Sequence, residues 1–374
     1  MPHTTSATDR AANLRRVYTG ESRQQSRNEI RRIPSSGSFH VSHDIYRLLG
    51  PSSAVDPSLC ELPEASLLRG SVIPPAHSED QEVLEYCILR HLLNTRRLSD
   101  EGEQHSQIDD PTRPVRSVTP RDNEILISLH EGFHGPFLMR LVTGRYNSGE
   151  KEWAEDGMPG LRLFRVKNDV IIYMIDQLGR ALQARAVVRG VPQRHWKILR
   201  AHVEHLLAHG LTLCDPFRAL PGIARDQGAQ NFSVTPTEAR AIANVRKAQS
   251  ECDRSARLSS HVLRRIALLG PNYQMLSWSM DRPLPDLELD LKVASPVAEV
   301  ARHLLHPVAG FVHVCMAPDS MRKASARSVY IGKSGQRYGL LDSDRRDYRF
   351  ATLSIRPARF SDDGRQADFD RTQW

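Results

Sequence analysis

The sequence predicts a mainly α-helical protein with two lobes and a flexible N-terminal arm. Three observations predict this fold. Apolar residues recur at helical spacing in several long segments, short runs of β type are few, and a polar stretch at 226–233 separates two groups of helices. The predicted parts are a basic arm at 1–40, an N-terminal lobe at 41–232, a C-terminal lobe at 233–358 and a short polar tail at 359–374.

Local patterns place the individual elements. Asp169, Pro192 and Thr235 are residue types typical of helix starts, and each precedes a long apolar pattern. The predicted helices span 78–97, 170–188, 192–210, 235–269 and 295–305. Polar stretches with glycine or proline predict loops at 98–120 and 144–160. The predicted strands span 161–166, 329–331 and 350–355.

The first 40 residues predict an arm because they are basic and poor in apolar side chains. Seven arginines there outnumber three acidic residues, and the segment closes on a Pro-Ser-Ser-Gly-Ser stretch. Such arms bind polyanions or a neighbouring subunit. A solvated tail without a task is the alternative.

The composition excludes several classes of protein. The chain has 374 residues, of which 40% are hydrophobic and 25% charged, so it is neither fully disordered nor a collagen or coiled-coil rod. No run of 18 apolar residues predicts a membrane span, and the first 20 residues do not resemble a secretory signal. Five cysteines far apart, with no C-x-x-C pair, argue against a disulfide scaffold and a zinc ribbon.

The charge favours a phosphate-rich partner. The net charge is +7, and 44 of the 51 basic residues are arginines. The arginine side chain is a planar fork that grips phosphate with two hydrogen bonds. The alternative explanation for the many arginines is a GC-rich genome, which does not account for the net charge.

Two histidine patterns allow metal chemistry. Residues 130–134 read His-Glu-Gly-Phe-His, which matches the H-E-x-x-H motif of zinc peptidases. Gly132 and the Gly135-Pro136 pair disfavour the helix that this motif needs, so we expect no metal ion there. The second pattern is three histidines beside an apolar helix stripe, for which a structural role is expected and a metal site is the alternative: His202, His205 and His209.

A basic helix at 235–269 offers the strongest candidate for binding phosphate. Its cations alternate with apolar residues, so one face can enter the core while another follows a nucleic-acid backbone. A solvated helix face is the alternative. The candidate phosphate contacts on this helix are Arg246, Lys247, Arg254, Arg264 and Arg265. Four further basic residues nearer the C-terminus are candidates for contacting the same partner: Arg322, Lys323, Arg327 and Lys333.

The segment 268–280 follows this helix and reads Leu-Leu-Gly-Pro-Asn-Tyr-Gln-Met-Leu-Ser-Trp-Ser-Met. It resembles the central motif of paramyxovirus-type nucleoproteins, in which an aromatic residue, a Tyr, an apolar-Ser-apolar run and a Met follow in order. Five residues match this order: Tyr273, Leu276, Ser277, Trp278 and Met280. Leu268 replaces the leading aromatic residue, one residue is missing after Tyr273, and Ser279 replaces an alanine. In having only a short C-terminal tail, the chain is similar to the compact bornavirus-like nucleoproteins.

This resemblance implies a nucleoprotein of a nonsegmented negative-strand RNA virus. Such proteins are largely helical, hold single-stranded RNA in a basic cleft and polymerise through terminal arms into helices or rings. We therefore predict a protein without catalytic activity, cofactor or metal, which coats viral RNA regardless of base sequence. Tyr273 is the candidate for stacking on a base or for a hydrogen bond to the sugar–phosphate backbone. The implied partners are RNA, further copies of the chain and a viral polymerase or phosphoprotein, with no membrane.

The resemblance also implies a location in the virion and the host cytoplasm, with the nucleus as the alternative. Two alternative functions stay open at this point. One is a coat protein of another class of RNA virus, and the other is an H-E-x-x-H zinc metallopeptidase.

Overall fold

The computed structural model corrects the predicted fold class, because a five-stranded mixed sheet lies at its centre. The protein is therefore an α/β protein and not a mainly helical one. The described residues are 6–33, 72–94, 114–142, 145–147, 152–154, 158–210, 212, 215–217, 232–250, 253–269, 274–278, 288–293, 306, 308–309, 314–316, 329–333 and 352–357. Among these residues, no helix has the length and apolar character that crossing a membrane requires.

The central sheet has the strand order β1-β2-β7-β6-β5. Strands β2 and β7 run parallel, and the other neighbours run antiparallel. All of strand β1 except its last residue falls in 98–120, so the loop predicted there is wrong for this part. The strand at 161–166 is confirmed as β5. The five strands are β1 (Val115–Arg121), β2 (Glu124–Leu129), β5 (Leu161–Val166), β6 (Asp169–Ile175) and β7 (Ala181–Arg189).

The predicted helix at 170–188 is wrong, since this segment forms the hairpin of β6 and β7. Alternate residues of β6, namely Val170, Ile172 and Met174, are buried in the core, which is the period of a strand. The turn forms because one carboxylate oxygen of Asp176 accepts hydrogen bonds from the amides of Leu178, at 2.9 Å, and Arg180, at 2.8 Å. Asp169 accepts a hydrogen bond from the amide of Gly190 at 3.1 Å and caps no helix.

Five helices accompany this sheet: α3 (Glu79–Asn94), α4 (His134–Val142), α5 (Gln193–Ala208), α6 (Pro236–Ser250) and α7 (Asp253–Arg264). The predictions at 78–97 and 192–210 are confirmed by α3 and α5. The predicted helix at 235–269 divides into α6, α7 and a 3-10 turn at Ile266–Leu269. The hydroxyl of Thr235 accepts a hydrogen bond from the backbone amide of Glu238 at 3.1 Å and so caps α6 as predicted.

The N-terminal segment is packed against the body of the protein, which corrects the predicted flexible arm. It forms α1 (Ala7–Thr19) and α2 (Arg23–Arg32), and Ser22 with Gln25 makes a capping box at the start of α2. Tyr18 is fully buried in an apolar cluster with Val72, Ile73, Val308 and Ala309. The burial of Tyr18 and Arg15 outweighs the basic composition that suggested an arm.

A second five-stranded sheet lies toward the C-terminus and has the order β10-β11-β12-β9-β8. The strands predicted at 329–331 and 350–355 are confirmed by β11 and β12. The two short strands β3 (Arg145–Asn147) and β4 (Glu152–Ala154) form a separate hairpin. The strands of the second sheet are β8 (Gln274–Trp278), β9 (Glu288–Val293), β10 (Val314–Met316), β11 (Val329–Lys333) and β12 (Thr352–Pro357). The helix predicted at 295–305 and the tail at 359–374 lie outside the described residues.

The main core joins both sides of the boundary predicted at residue 232. Leu263 and Ile266 pack in the same apolar cluster as Leu84 of α3 and Ile127 of β2. A buried network reinforces this contact. Both carboxylate oxygens of Glu85 accept from Arg264, at 2.7 and 2.6 Å, and each accepts a second donor, the hydroxyl of Ser260 at 2.6 Å or the amide of Gln81 at 2.7 Å.

We predict that Glu85→Gln destabilises the protein by about 3–5 kcal/mol, because the change leaves the buried charge of Arg264 without a counter-charge. The amide nitrogen that this change introduces would replace one of the two carboxylate oxygens of Glu85. Both oxygens accept hydrogen bonds, so the nitrogen would meet a donor in either orientation of the amide. Urea unfolding measures the change in free energy.

The matched control is Asp80→Asn on the same helix. Asp80 pairs with Arg246, and both side chains are more than a third exposed. Its loss should cost less than about 1 kcal/mol. Equal costs for the two variants would contradict a structural role for the Glu85 network.

Candidate nucleic-acid interface

Two of the predicted phosphate contacts are core residues. Arg264 is 0% exposed and Arg265 is 1% exposed. Arg264 pairs with Glu85 and also donates to the carbonyl of Pro74 at 2.6 Å. Arg265 donates to the carbonyl of Ala309 at 2.7 Å, and burial lowers its pKa to about 9. Both side chains are buried and bind acceptors inside the protein, so their place on an exposed phosphate-binding face is wrong.

The other predicted contacts are placed less fully. Arg246 forms an ion pair with Asp80. Lys247 lies on α6, Arg254 on α7 and Lys333 at the end of β11, and the surroundings of these three side chains lie outside what the structure describes. The remaining four candidates lie outside the described residues: Tyr273, Arg322, Lys323 and Arg327.

A different set of cations gathers at one end of the central sheet. Strand β5 ends here, β6 begins, β7 ends and α5 begins, so the Lys167-Asn168 turn meets the connection at 190–192. The amide of Val191 donates to the carbonyl of Asn168 at 2.6 Å, which fixes the two segments together. We call the four cations at this end the basic edge: Lys167, Arg189, Arg194 and Lys197.

The cations of the basic edge lack acidic partners. Lys167, Arg194 and Lys197 are exposed and Arg189 is half-buried. Within the described ranges, none of these four side chains forms an ion pair or a hydrogen bond, whereas Arg15, Arg162 and Arg264 are each paired with a glutamate. The basic edge therefore carries an excess of positive charge, although the carboxylate of Asp169 lies beside the same turn and accepts a hydrogen bond from the amide of Gly190.

Two backbone features accompany this charge. Lys167 has a φ of 57°, and it is the one non-glycine residue with a positive φ in the described part of the chain. Val166 pairs with Asp169 across the Lys167-Asn168 turn, and a two-residue hairpin turn of this kind requires a positive φ. Helix α5 begins at Pro192, where no side chain caps the first turn, so the positive end of the helix dipole adds to the basic edge.

The H-E-x-x-H residues lie beside the basic edge but do not form a zinc-peptidase site. His130 follows β2, Gly132 sits in a turn with a φ of 90°, and His134 starts α4. The two histidines therefore do not share one helical face, which that chemistry requires. Among the described residues, no group of three or more His, Cys, Asp or Glu side chains has the geometry to hold a metal ion.

His134 instead packs beside His195 of α5. The ring centroids lie 6.3 Å apart, and the Nε2 atom of His134 donates to the carbonyl of Arg189 at 3.2 Å. This bond places the proton of the neutral ring on Nε2. The Nδ1 atoms of both rings are buried without a hydrogen-bond partner among the described residues. Burial lowers the pKa of His134 below its ordinary value of 6.5, and the nearby His195 lowers it further.

The comparisons with known proteins give no family for this chain: no protein-family model, curated protein or solved structure matches it.

The basic edge was missed in the sequence, although a local signal for it exists. A run of apolar residues interspersed with arginines at 161–166 and a continuous apolar run at 170–175 flank a short polar Lys-Asn-Asp stretch, which is the pattern of a hairpin. The predicted helix at 170–188 hid this turn. With the hairpin assigned, Lys167 and Arg189 fall at the same end of neighbouring strands.

We predict that His134 makes folding stability depend on pH. Its pKa is lowered in the folded state, so the unfolded chain binds more protons as the pH falls through 6.5. Stability from neutral His134 is therefore present above that pH and decreases below it. His134→Gln, whose amide can still donate to the carbonyl of Arg189, should reduce the loss of unfolding free energy between pH 7.5 and pH 5.5.

Urea unfolding of the wild type and the variant at both pH values measures this difference. His77→Gln, which removes an exposed histidine elsewhere, is the control and should keep the wild-type pH dependence. If His134→Gln loses as much stability on acidification as the wild type, the buried neutral state assigned to His134 is wrong.

Proposed function

We propose that the protein binds single-stranded RNA through its phosphates at the basic edge. The observation that supports this most is a set of four cations that form no ion pair within the described ranges and lie where the Lys167-Asn168 turn, the connection at 190–192 and the start of α5 meet. A phosphate backbone supplies a row of negative charges that such a surface attracts.

The geometry supports binding that ignores base sequence. Contacts between cations and phosphates fix position and supply affinity, but they carry no sequence information. The uncapped first turn of α5 adds backbone amides that favour an anion at the same place. These features fit a protein that covers RNA of any sequence, as the resemblance of the segment 268–280 implies.

The finer proposal is that copies of the chain coat a viral RNA genome and polymerise along it. It rests on the resemblance of 13 residues to the nucleoprotein motif. Part of that segment forms β8 (Gln274–Trp278), so the support comes from the sequence and not from a shared helical fold. The helices α1 and α2 pack on the body, so a polymer would form through other surfaces than a free arm at 6–33.

We predict that Lys167→Gln, Arg194→Gln and Lys197→Gln each weaken RNA binding. Each change removes one phosphate contact, so each should reduce the slope of log affinity against log salt by about 0.7. Affinities for two oligonucleotides of unrelated sequence should fall alike. Fluorescence anisotropy titrations at several salt concentrations measure both quantities.

The matched control is Arg240→Gln. Arg240 is an exposed arginine of α6, without an ion pair in the described part of the chain, and it belongs to the helix first predicted to bind RNA. Its loss should leave the slope unchanged. A reduced slope for Arg240→Gln with unchanged slopes for all three basic-edge variants would return the binding face to α6 and reject the basic edge.

The coating proposal has its own test. Purified protein mixed with long RNA should give rings or helical filaments in negative-stain electron microscopy, and the triple basic-edge variant should give none. A wild-type protein that binds RNA but stays monomeric on it would reject polymerisation while leaving RNA binding in place.

A further inference from the structure

We propose that His205 and His209 bind one divalent transition-metal ion at the C-terminal end of α5. The two histidines are four residues apart, which places them on the same face of a helix. Their ring centroids lie 4.1 Å apart with a tilt of 42° between the rings, and both residues are exposed. The two rings are therefore in contact, and in this proposal side-chain rotations bring one nitrogen of each ring to the same ion.

A hydrogen bond orients one of the two ligands. The Nδ1 atom of His209 lies 2.8 Å from the carbonyl oxygen of His205, so Nδ1 carries the proton and donates it. The Nε2 atom of the neutral ring then presents a lone pair. A backbone carbonyl that fixes the tautomer in this way is the usual outer partner of a metal-bound histidine.

The place on the helix also favours a cation. The last carbonyls of a helix carry a partial negative charge, and His209 is the C-cap residue of α5. This end of the helix is the opposite one from the basic edge. The metal ion would therefore occupy the end of α5 at which the helix dipole attracts positive charge.

The ligand set selects the class of metal. Imidazole nitrogen suits Zn²⁺, Cu²⁺ and Ni²⁺, whereas Mg²⁺ and Ca²⁺ prefer oxygen ligands. His205 and His209 are the two ligands that the described residues supply at this position, and in this proposal water completes the coordination. This makes an open site, and its geometry differs from the closed four-ligand sites that stabilise zinc fingers.

The two histidines are not needed to hold α5 in place. The helix packs through Leu199, Val203 and Leu206, which are buried, whereas His205 and His209 lie on the exposed side. Substitution of either histidine should therefore leave the fold intact. Metal binding can be tested without a change in stability that would confuse the result.

The test is calorimetric titration of the full chain with zinc chloride. Because the chain has 16 histidines, the comparison is between variants: His205→Gln, His209→Gln and the double variant. Each single variant should bind one equivalent of zinc fewer at concentrations that fill the wild-type site, because the affinity of that site should fall more than about tenfold. Removing only an outer hydrogen-bond partner of a metal ligand already costs about tenfold or more in metal affinity. The double variant should lose the same equivalent and no more.

The control is His77→Gln, which should bind as much zinc as the wild type. Electron paramagnetic resonance of the copper-loaded protein provides a second measurement, in which the signal of an ion coordinated by two imidazoles should disappear in either single variant. If either single variant keeps the wild-type zinc stoichiometry and affinity, or if the losses in the two variants add, the shared site does not exist. These results do not depend on RNA binding.

Discussion

The ion pair between Glu85 and Arg264 is the interaction on which the assembly of this fold depends. Glu85 lies on α3, Arg264 ends α7, and both side chains are fully buried. Gln81 extends the pair to the sheet, since its side chain accepts from the amide of Arg185 at 2.8 Å and donates to Glu85. Two helices far apart in sequence and the central strand β7 thus share one polar network. Burial of such a charge is tolerated because each oxygen of Glu85 meets two donors.

Buried Arg–Glu ion pairs occur at two further places, so part of the arginine content serves the interior of the protein and not its surface. Arg15 pairs with Glu21 and donates to the carbonyls of Val72 and Pro120, which ties α1 to the body. Arg162 of β5 pairs with Glu238 of α6 and lies over the ring of Phe232. These arginines serve the interior, where a planar fork satisfies several acceptors at once. The number of arginines therefore overstates how much cationic surface is free for a partner, although each of these ion pairs adds nothing to the net charge of +7.

Local patterns predicted the helices at 79–94 and 193–208, the Thr235 cap and three strands, because propensity and capping are decided by neighbouring residues. The hairpin at 169–189 was predicted as a helix because its apolar run has the length of a helix. The alternating burial of Val170, Ile172 and Met174 distinguishes a strand from a helix here, and it is seen only in the structure. The prediction of a flexible arm was wrong because Arg15 binds acceptors up to 105 residues away in the sequence, and a local pattern cannot indicate such contacts. Burial of Arg264 was unpredictable for the same reason, since Glu85 is 179 residues distant. The free cations at the basic edge became visible only once the strand ends were placed.

Helix α5 connects the two proposed sites and also keeps them apart. Its N-terminus adds positive potential to the basic edge, and its C-terminus adds negative potential beside His205 and His209. Sixteen residues at a rise of 1.5 Å make the helix about 24 Å long. At physiological salt the screening length is about 8 Å, so a bound metal ion has little electrostatic effect on a phosphate at the other end. Any coupling between RNA and metal would have to pass through movement of α5, which the buried stripe of Leu199, Val203 and Leu206 resists.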